Sequence, residues 1–553
     1  MSQSSQHETA TGRSGRGGSR GSIRAPSLLA LGLLCVKVGV ILAFPLRKIA
    51  MTAWVPDDAF IFMRIARNVA LGRGYSFDGV RLTSGAPQLW VWLTFPWQWL
   101  LDKNSAAKAV LMTSAFFGAL ASIMVFWIAD RLYGRAAAWV AFALTALGLP
   151  LMLNSMNGME TSLFTCLGLL AIALYVRLRE SRGTWKSYLV LGCVLGLLHL
   201  TRTDGVFLSF GIFVAELVRL SRLGPSERRA AIRELAVLVL AAAVVTLPTI
   251  VLSFKATGNP LPANQVGRRA LAWEGPLGSD GRLSLAEYAA WSVFRMLSLQ
   301  RLVAVATGSS VVAALGLLFG AWRGRGRRFA GIVLVYVCGF FGTLVFYQWY
   351  FPDVHGLRYL NLPAHLFAIL TAGLLTYAVA RLLQTRIRRT FALTVAVVLT
   401  LSTTAFQYRE VASGVGGRME RRLIPNYSAS AEAEWWRMVD WTAASLEPGT
   451  VVAATDHGRI AYFTDVAVID LDGILLPQLL EHLEDGSVDE YLDESRVAYV
   501  FLPDRPEKRI CRCLRETGRI EQVADVPEDA DREVFRWVPH RDESIAVHEG
   551  NEG

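Results

Sequence analysis

Apolar positions along this chain gather into long, nearly unbroken runs, not into the alternation of half-buried strands or the one-sided stripe of soluble helices. Runs of about 18 or more residues are long enough to cross a bilayer as helices. Such runs lie near 26–46, 107–130, 136–156, 161–178, 186–200, 204–220, 232–254, 301–322, 329–350, 358–381 and 389–408. A twelfth apolar stretch, Ala86–Leu101, differs from the rest: it carries Trp90, Trp92, Trp97 and Trp99 and is interrupted by Pro96. Tryptophans of this density suit a helix lying at the membrane–water interface.

The polar text between the runs orients them. Arg and Lys cluster at 131–135, 177–186, 219–233, 323–328 and 381–389, and Arg13, Arg16, Arg20 and Arg24 mark the first residues. Cytoplasmic loops carry this excess of basic residues. All of the clusters fall on one side only if 86–101 does not cross, which gives about eleven spans with the N-terminus inside and the C-terminus outside. The expected organisation is a disordered cytoplasmic tail (1–26), an all-α multi-spanning membrane domain (27–408) and an extracytoplasmic domain (409–553). Outer loops are expected at 48–106 and 255–300.

The final 145 residues change character. A helix-like stretch begins at Trp435-Trp436, and Val451–Thr455, Val466–Asp470 and Arg496–Leu502 read as strands. Alternating helix and strand predicts a small α/β domain.

Composition sharpens this picture. The chain of 553 residues is 53% hydrophobic and 18% charged, with positive mean hydropathy, against about 25% charged in soluble domains. A collagen, a coiled coil, a disordered hub and a cytosolic enzyme are excluded. The net charge of +10 is accounted for by basic cytoplasmic loops and does not point to nucleic acid. Four cysteines (Cys35, Cys166, Cys193, Cys338) sit in apolar runs. Cys511 and Cys513 have no second pair to complete a zinc site, so neither a disulfide framework nor a zinc finger is indicated.

Chemistry concentrates after the first span. Pro56-Asp57-Asp58 is a helix start and Gly72 and Gly74 are a helix stop. On the intervening helix Asp57, Arg64 and Asn68 share one face, with Arg67 beside them. An acidic N-terminus with arginines reaching to lipid headgroups explains the pattern as well as a catalytic carboxylate does. Further polar groups interrupt apolar text at places the same parity puts outside: Asn157 to Thr161, Arg202 to Asp204, Asn259 to Asn264 with Arg268 and Arg269, and His355 with Arg358 and Tyr359. Charges within or beside spans tend to line functional cavities.

These phrases resemble the GT-C superfamily of membrane glycosyltransferases that use polyprenyl-phosphate sugars. They are similar above all to the bacterial terminal arabinofuranosyltransferase-like and dolichyl-phosphate-mannose-mannosyltransferase-like members. The similarity rests on Asp57 to Gly74, Gly158-Met-Glu160-Thr161, Leu200-Thr-Arg202-Thr-Asp204-Gly205, Gly258-Asn-Pro260-Leu-Pro262, Arg358-Tyr359-Leu360 and the tail text Thr455 to Phe463 with Val468 to Gly473. Thr203 stands where the family has Pro, and Asn264 is shifted by one.

The resemblance implies an inverting, metal-independent transfer to a glycan, lipid or protein acceptor outside the cytoplasm, at the inner (plasma) membrane, with no cofactor. It gives Asp57 or Asp58 the role of general base. Arg64, Arg67, Arg202, Arg268 and Arg358 become candidates for the donor phosphate. Asn68, Asn157, Glu160, Asp204, Asn264, His355, Tyr359, Asp456 and His457 become candidates for substrate contacts. Two other classes compete with it. A transporter or flippase of lipid-linked glycan would carry polar groups on both membrane faces. A non-catalytic glycan-binding membrane protein would make Asp57 and Asp58 dispensable.

Overall fold

The computed structural model describes residues 24–53, 55–181, 183–272, 326–346, 359, 361–382, 429–455, 457–503, 509–524, 526 and 532–539. The first run forms α1 (Arg24–Ala43), followed by the short α2 (Leu46–Ala53). The acidic helix is α3 (Asp57–Ala70), which starts after extended Pro56 and frays at Leu71. The Trp-rich stretch is α4 (Gln88–Leu100). At 1.5 Å per residue its 13 residues reach roughly 20 Å, short of a bilayer core.

The helices of the bundle follow: α5 (Lys103–Tyr133), α6 (Arg135–Ala146), α7 (Leu149–Asn154), α8 (Thr161–Glu180), α9 (Trp185–Thr201), α10 (Gly205–Leu220) and α11 (Pro225–Thr257). After the short α12 (Ala263–Ala272) come α13 (Arg327–Phe346) and α14 (Asn361–Leu382). Five described helices (α1, α5, α8, α11 and most of α14) are long and apolar enough to cross a membrane. The spans expected at 301–322 and 389–408 lie outside the described residues. The run 136–156, read as one span, is two helices. Gly148 separates them and Pro150 sits in the first turn of α7, where its missing N–H is harmless but a continuing helix is not possible.

Burial shows how the bundle meets its surroundings. In α8 the apolar stretch is 72% buried, but in α1 and α11 only 17% is. The outward leucines and valines of α1 and α11 therefore need lipid rather than water around them. Helix α5 is central, packing on α1, α6, α8 and α14, while α9 lies along α11. The last contact is close because Gly192 and Gly196 face α11; a Cβ at Gly192 would stand 2.4 Å from the Leu238 carbonyl oxygen. Small residues four apart let two membrane helices approach in this way.

The C-terminal region begins with α15 (Ala429–Ser445) and continues β1 (Val451–Ala454), α16 (Gly458–Phe463), β2 (Ala467–Asp470), α17 (Gln478–Asp485), α18 (Val488–Glu494), β3 (Tyr499–Pro503), α19 (Arg509–Glu516), β4 (Ile520–Gln522) and β5 (Arg532–Trp537). The sheet order is β2-β1-β3-β5-β4. Strands β1, β2 and β3 are parallel, and β5 joins β3 and β4 antiparallel. The three strands read from the sequence are therefore the parallel half. One hydrophobic core runs without a break from the membrane helices through α3 into residues such as Trp436, Val452 and Tyr462, and a second fills the other face of the sheet under α17–α19. Helix α3 is the shared layer. Its Phe60 ring packs against Trp436, Tyr462 and Phe463.

Candidate functional site

The first turn of α3 sends its two carboxylates to different places. Asp57 is 5% exposed and turned toward the C-terminal domain. It accepts the backbone N–H groups of Gly458 and Arg459 and a guanidinium hydrogen bond from Arg459 at 3.0 Å. Arg459 is itself 1% exposed. It donates to the Val55 carbonyl and lies over the ring of Trp435 at 4.4 Å. Gly458 is required here, since a Cβ would fall 2.3 Å from the Asp57 carbonyl oxygen. Sequence reading placed no weight on Arg459; the only signal was an arginine within an otherwise apolar Ile-Ala-Tyr-Phe text.

Asp58, half-buried, borders a cavity of about 120 Å³ on the opposite side. The ends of α3, α8, α9, α10 and α12 meet there. Glu160, Arg202, Asp204, Asn264 and Tyr359 share the lining with it. Arg202 ends α9 in extended conformation, so its side chain turns back across the cavity wall. It donates to Glu160 Oε1 at 2.9 Å and to both oxygens of Asp204 at 2.9 and 3.1 Å, and it lies over the Tyr359 ring at 4.5 Å. A two-pronged arginine bond of this kind fixes direction as well as distance. Because two carboxylates already hold it, Arg202 sets the acidic wall and offers little free positive charge.

Four lining residues did not stand out in the sequence. Gln265 donates to Thr203 at 3.2 Å, and Ser84 accepts the Ala263 N–H, tying the first loop to α12. Gln88 accepts from Thr249, and His199 lies 3.2 Å from Ser209. Among the described residues, Glu160 Oε2, Asn264 Oδ1 and Gln88 Nε2 are buried without a hydrogen-bond partner. Such atoms are costly unless something fills the space beside them.

The remaining nominated residues lie elsewhere. Arg64 points away from the cavity, toward the carbonyls of Phe77 and Val466 at 3.4 Å, and burial, with Arg73 and Arg67 nearby, pulls its guanidinium down to about 10. Asn68 donates to the carbonyls of Ser76 and Phe77 at 2.9 Å and so shapes the loop after α3. Arg67 is half-buried on the same helix and is not among the cavity-lining residues. Asn157 closes its own turn by accepting the Met159 N–H, and Trp90 donates to the Gly158 carbonyl above it. His457 is buried in the C-terminal domain against Phe77. His355, Arg358, Asp456 and the Arg268 side chain lie outside the described residues.

Residues 92–252, from α4 to most of α11, match the family described as Dolichyl-phosphate-mannose-protein mannosyltransferase. Residues 424–543 match a family described as a domain of unknown function. No curated protein matches the chain. Among solved structures, ArnT from Cupriavidus metallidurans in the apo state is similar over 92% of this chain and 98% of its own, at 13% identity and a TM-score of 0.52. The archaeal oligosaccharyltransferase AglB from Archaeoglobus fulgidus, in complex with an inhibitory peptide and a dolichol-phosphate, is similar over 87% of this chain and 70% of its own, at 12% identity and a TM-score of 0.49. The resemblance to GT-C glycosyltransferases read from the motifs thus extends to the fold, and the chain is a membrane protein.

Proposed function

We propose that this chain transfers a sugar from a polyprenyl-phosphate donor to an acceptor hydroxyl outside the cytoplasm, with Asp58 as general base. The observation that carries the reading is the cavity beside α3: a helix-start carboxylate, an arginine-braced acidic wall and three buried polar atoms in want of partners all line it. The match of residues 92–252 to a dolichyl-phosphate-mannose-dependent family supports the donor class.

The chemistry asked of the protein is modest. The acceptor oxygen attacks the anomeric carbon as Asp58 takes its proton, the bond from that carbon to the phosphate oxygen breaks, and polyprenyl phosphate departs with the electron pair. Attack from the face opposite the phosphate inverts the anomeric centre. The donor already carries a good leaving group, so positioning and a base supply most of what is needed. Glu160, Asp204 and Asn264 present acceptors to sugar hydroxyls. Arg358 and Arg268 are the cations we assign to the departing phosphate, since Arg202 is committed to its two carboxylates. Domains 27–408 and 409–553 then divide the work into a cavity and a brace for the helix that borders it.

The test is transfer by the purified full-length protein from synthetic short-chain polyprenyl-phosphate sugars to a glycan acceptor, followed by mass spectrometry. Asp58→Asn keeps size and hydrogen bonding but cannot take a proton, and we expect turnover to fall by about 10² or more. Wild-type turnover in Asp58→Asn would overturn the assignment of the base. Donor recovered intact on the other side of a vesicle would overturn transfer in favour of transport.

A further inference from the structure

The carboxyl ends of β1 and β2 carry a second constellation, outside the transfer cavity. His457 follows β1 by three residues, Asp470 closes β2, and Asp472 lies two residues on. One ligand atom from each of the three falls within 4.8 Å of the other two. His457 is 1% exposed and Asp470 fully buried.

Two distances separate a binding site from an ordinary ion pair. His457 Nε2 stands 3.8 Å from Asp470 Oδ1, beyond hydrogen-bond reach, and neither ring nitrogen has a hydrogen-bond partner among the described residues. Two ligand atoms each about 2.0–2.1 Å from one tetrahedral ion stand roughly 3.4 Å apart. The observed gap is close to that of two donors facing a shared cation. The carboxylate of Asp470 is held rigidly, Oδ1 by the Asp472 N–H at 2.8 Å and Oδ2 by the Leu475 N–H at 2.7 Å. The Phe77 ring, 4.7 Å from the imidazole, fixes its other side.

We infer that His457, Asp470 and Asp472 form a structural site for a divalent metal ion of the zinc or manganese class. Two carboxylates and a neutral imidazole carry the charge that balances such an ion, and the mixed nitrogen and oxygen donors favour it over calcium or magnesium, which take oxygen. Three protein ligands leave room for water. The ion would tie the loop after β1 to the loop after β2. The first of these carries Gly458 and Arg459, which hold Asp57; the second receives the Thr83 hydroxyl on the Leu475 carbonyl at 2.7 Å. No step of sugar transfer runs through it.

The experiment uses full-length protein in detergent, stripped with a chelator, desalted, and given Zn²⁺ or Mn²⁺ alone. We expect about one ion per chain to survive desalting, measured by elemental mass spectrometry, and the melting midpoint to rise by several degrees. His457→Gln abolishes both effects. Asp472→Asn, at a half-buried position, lowers retention at least tenfold. Asp58→Asn retains the ion fully. No retained ion and no shift in the wild type, or equal retention in His457→Gln and Asp472→Asn, overturns the site. Retention of Mg²⁺ or Ca²⁺ in preference overturns the metal class.

Discussion

Asp57 and Asp58 are neighbours on one helix, yet they belong to opposite kinds of surroundings. Around Asp57 everything is closed: two backbone N–H groups, a buried guanidinium and aromatic rings leave no space for a ligand. Around Asp58 the wall is open, acidic and incompletely hydrogen-bonded. The same helical turn thus anchors a domain on one side and borders the cavity on the other. Helix α3 is held from behind by the C-terminal domain and faces the cavity in front.

The largest effect expected comes from opening the closed side. Asp57→Asn strands the buried Arg459 charge, and removing one partner of a buried pair costs about 3–5 kcal/mol. Urea or thermal unfolding should show that loss, and Arg459→Ala should show a similar one. The double variant should lose much less than the sum, because neither charge is then left alone. Additive losses would break the comparison.

On the open side the order reverses. Asp58→Asn is expected to lower turnover about 10²-fold. Next in size is Arg202→Lys. Lysine cannot hold Asp204 through two oxygens and reach Glu160 together, so about 1.5–3 kcal/mol of charge-assisted bonding is lost. In kcat/KM this reads as roughly ten- to a hundredfold. An unchanged kcat/KM would mean that the acidic wall does not contact substrate. The smallest effect is Asn68→Ala, which removes two hydrogen bonds to the Ser76 and Phe77 carbonyls. We expect about 1–2 kcal/mol of stability, visible as faster proteolysis of the loop at 71–82 and little change in turnover.

The helical face of α3 was legible from Pro56, the two aspartates and the glycine stop. Its orientation was not. Residues 57 and 58 are about 100° apart on a helix, and periodicity says only that they diverge. Which one meets the cavity depends on Arg459, 402 residues later. The acidic wall was easier to find. Glu160, Arg202 and Asp204 interrupt apolar text, and a charge in such a place needs a partner. Gln88, Gln265 and His199 were missed because a single neutral polar side chain in an apolar run is compatible with many environments. In the C-terminal domain, β1, β2 and β3 have continuous apolar cores and read as strands. By contrast β4 has three residues and β5 carries two arginines and a glutamate, so neither shows the pattern of a buried strand.

The bond between Asp57 and Arg459 also sets a clock. Ribosomes add about 5–20 residues per second, so roughly 20–80 s separate the synthesis of the two partners. For that interval the newly made α3 has no brace, and Asp57 waits for the guanidinium and backbone N–H groups that hold it in the finished fold. The fold therefore leaves the helix beside the cavity without its brace until the C-terminal domain has been made and has closed on the first loop. A chain cut before Gly458 would keep its apolar helices but lack every group that holds Asp57 from the C-terminal side.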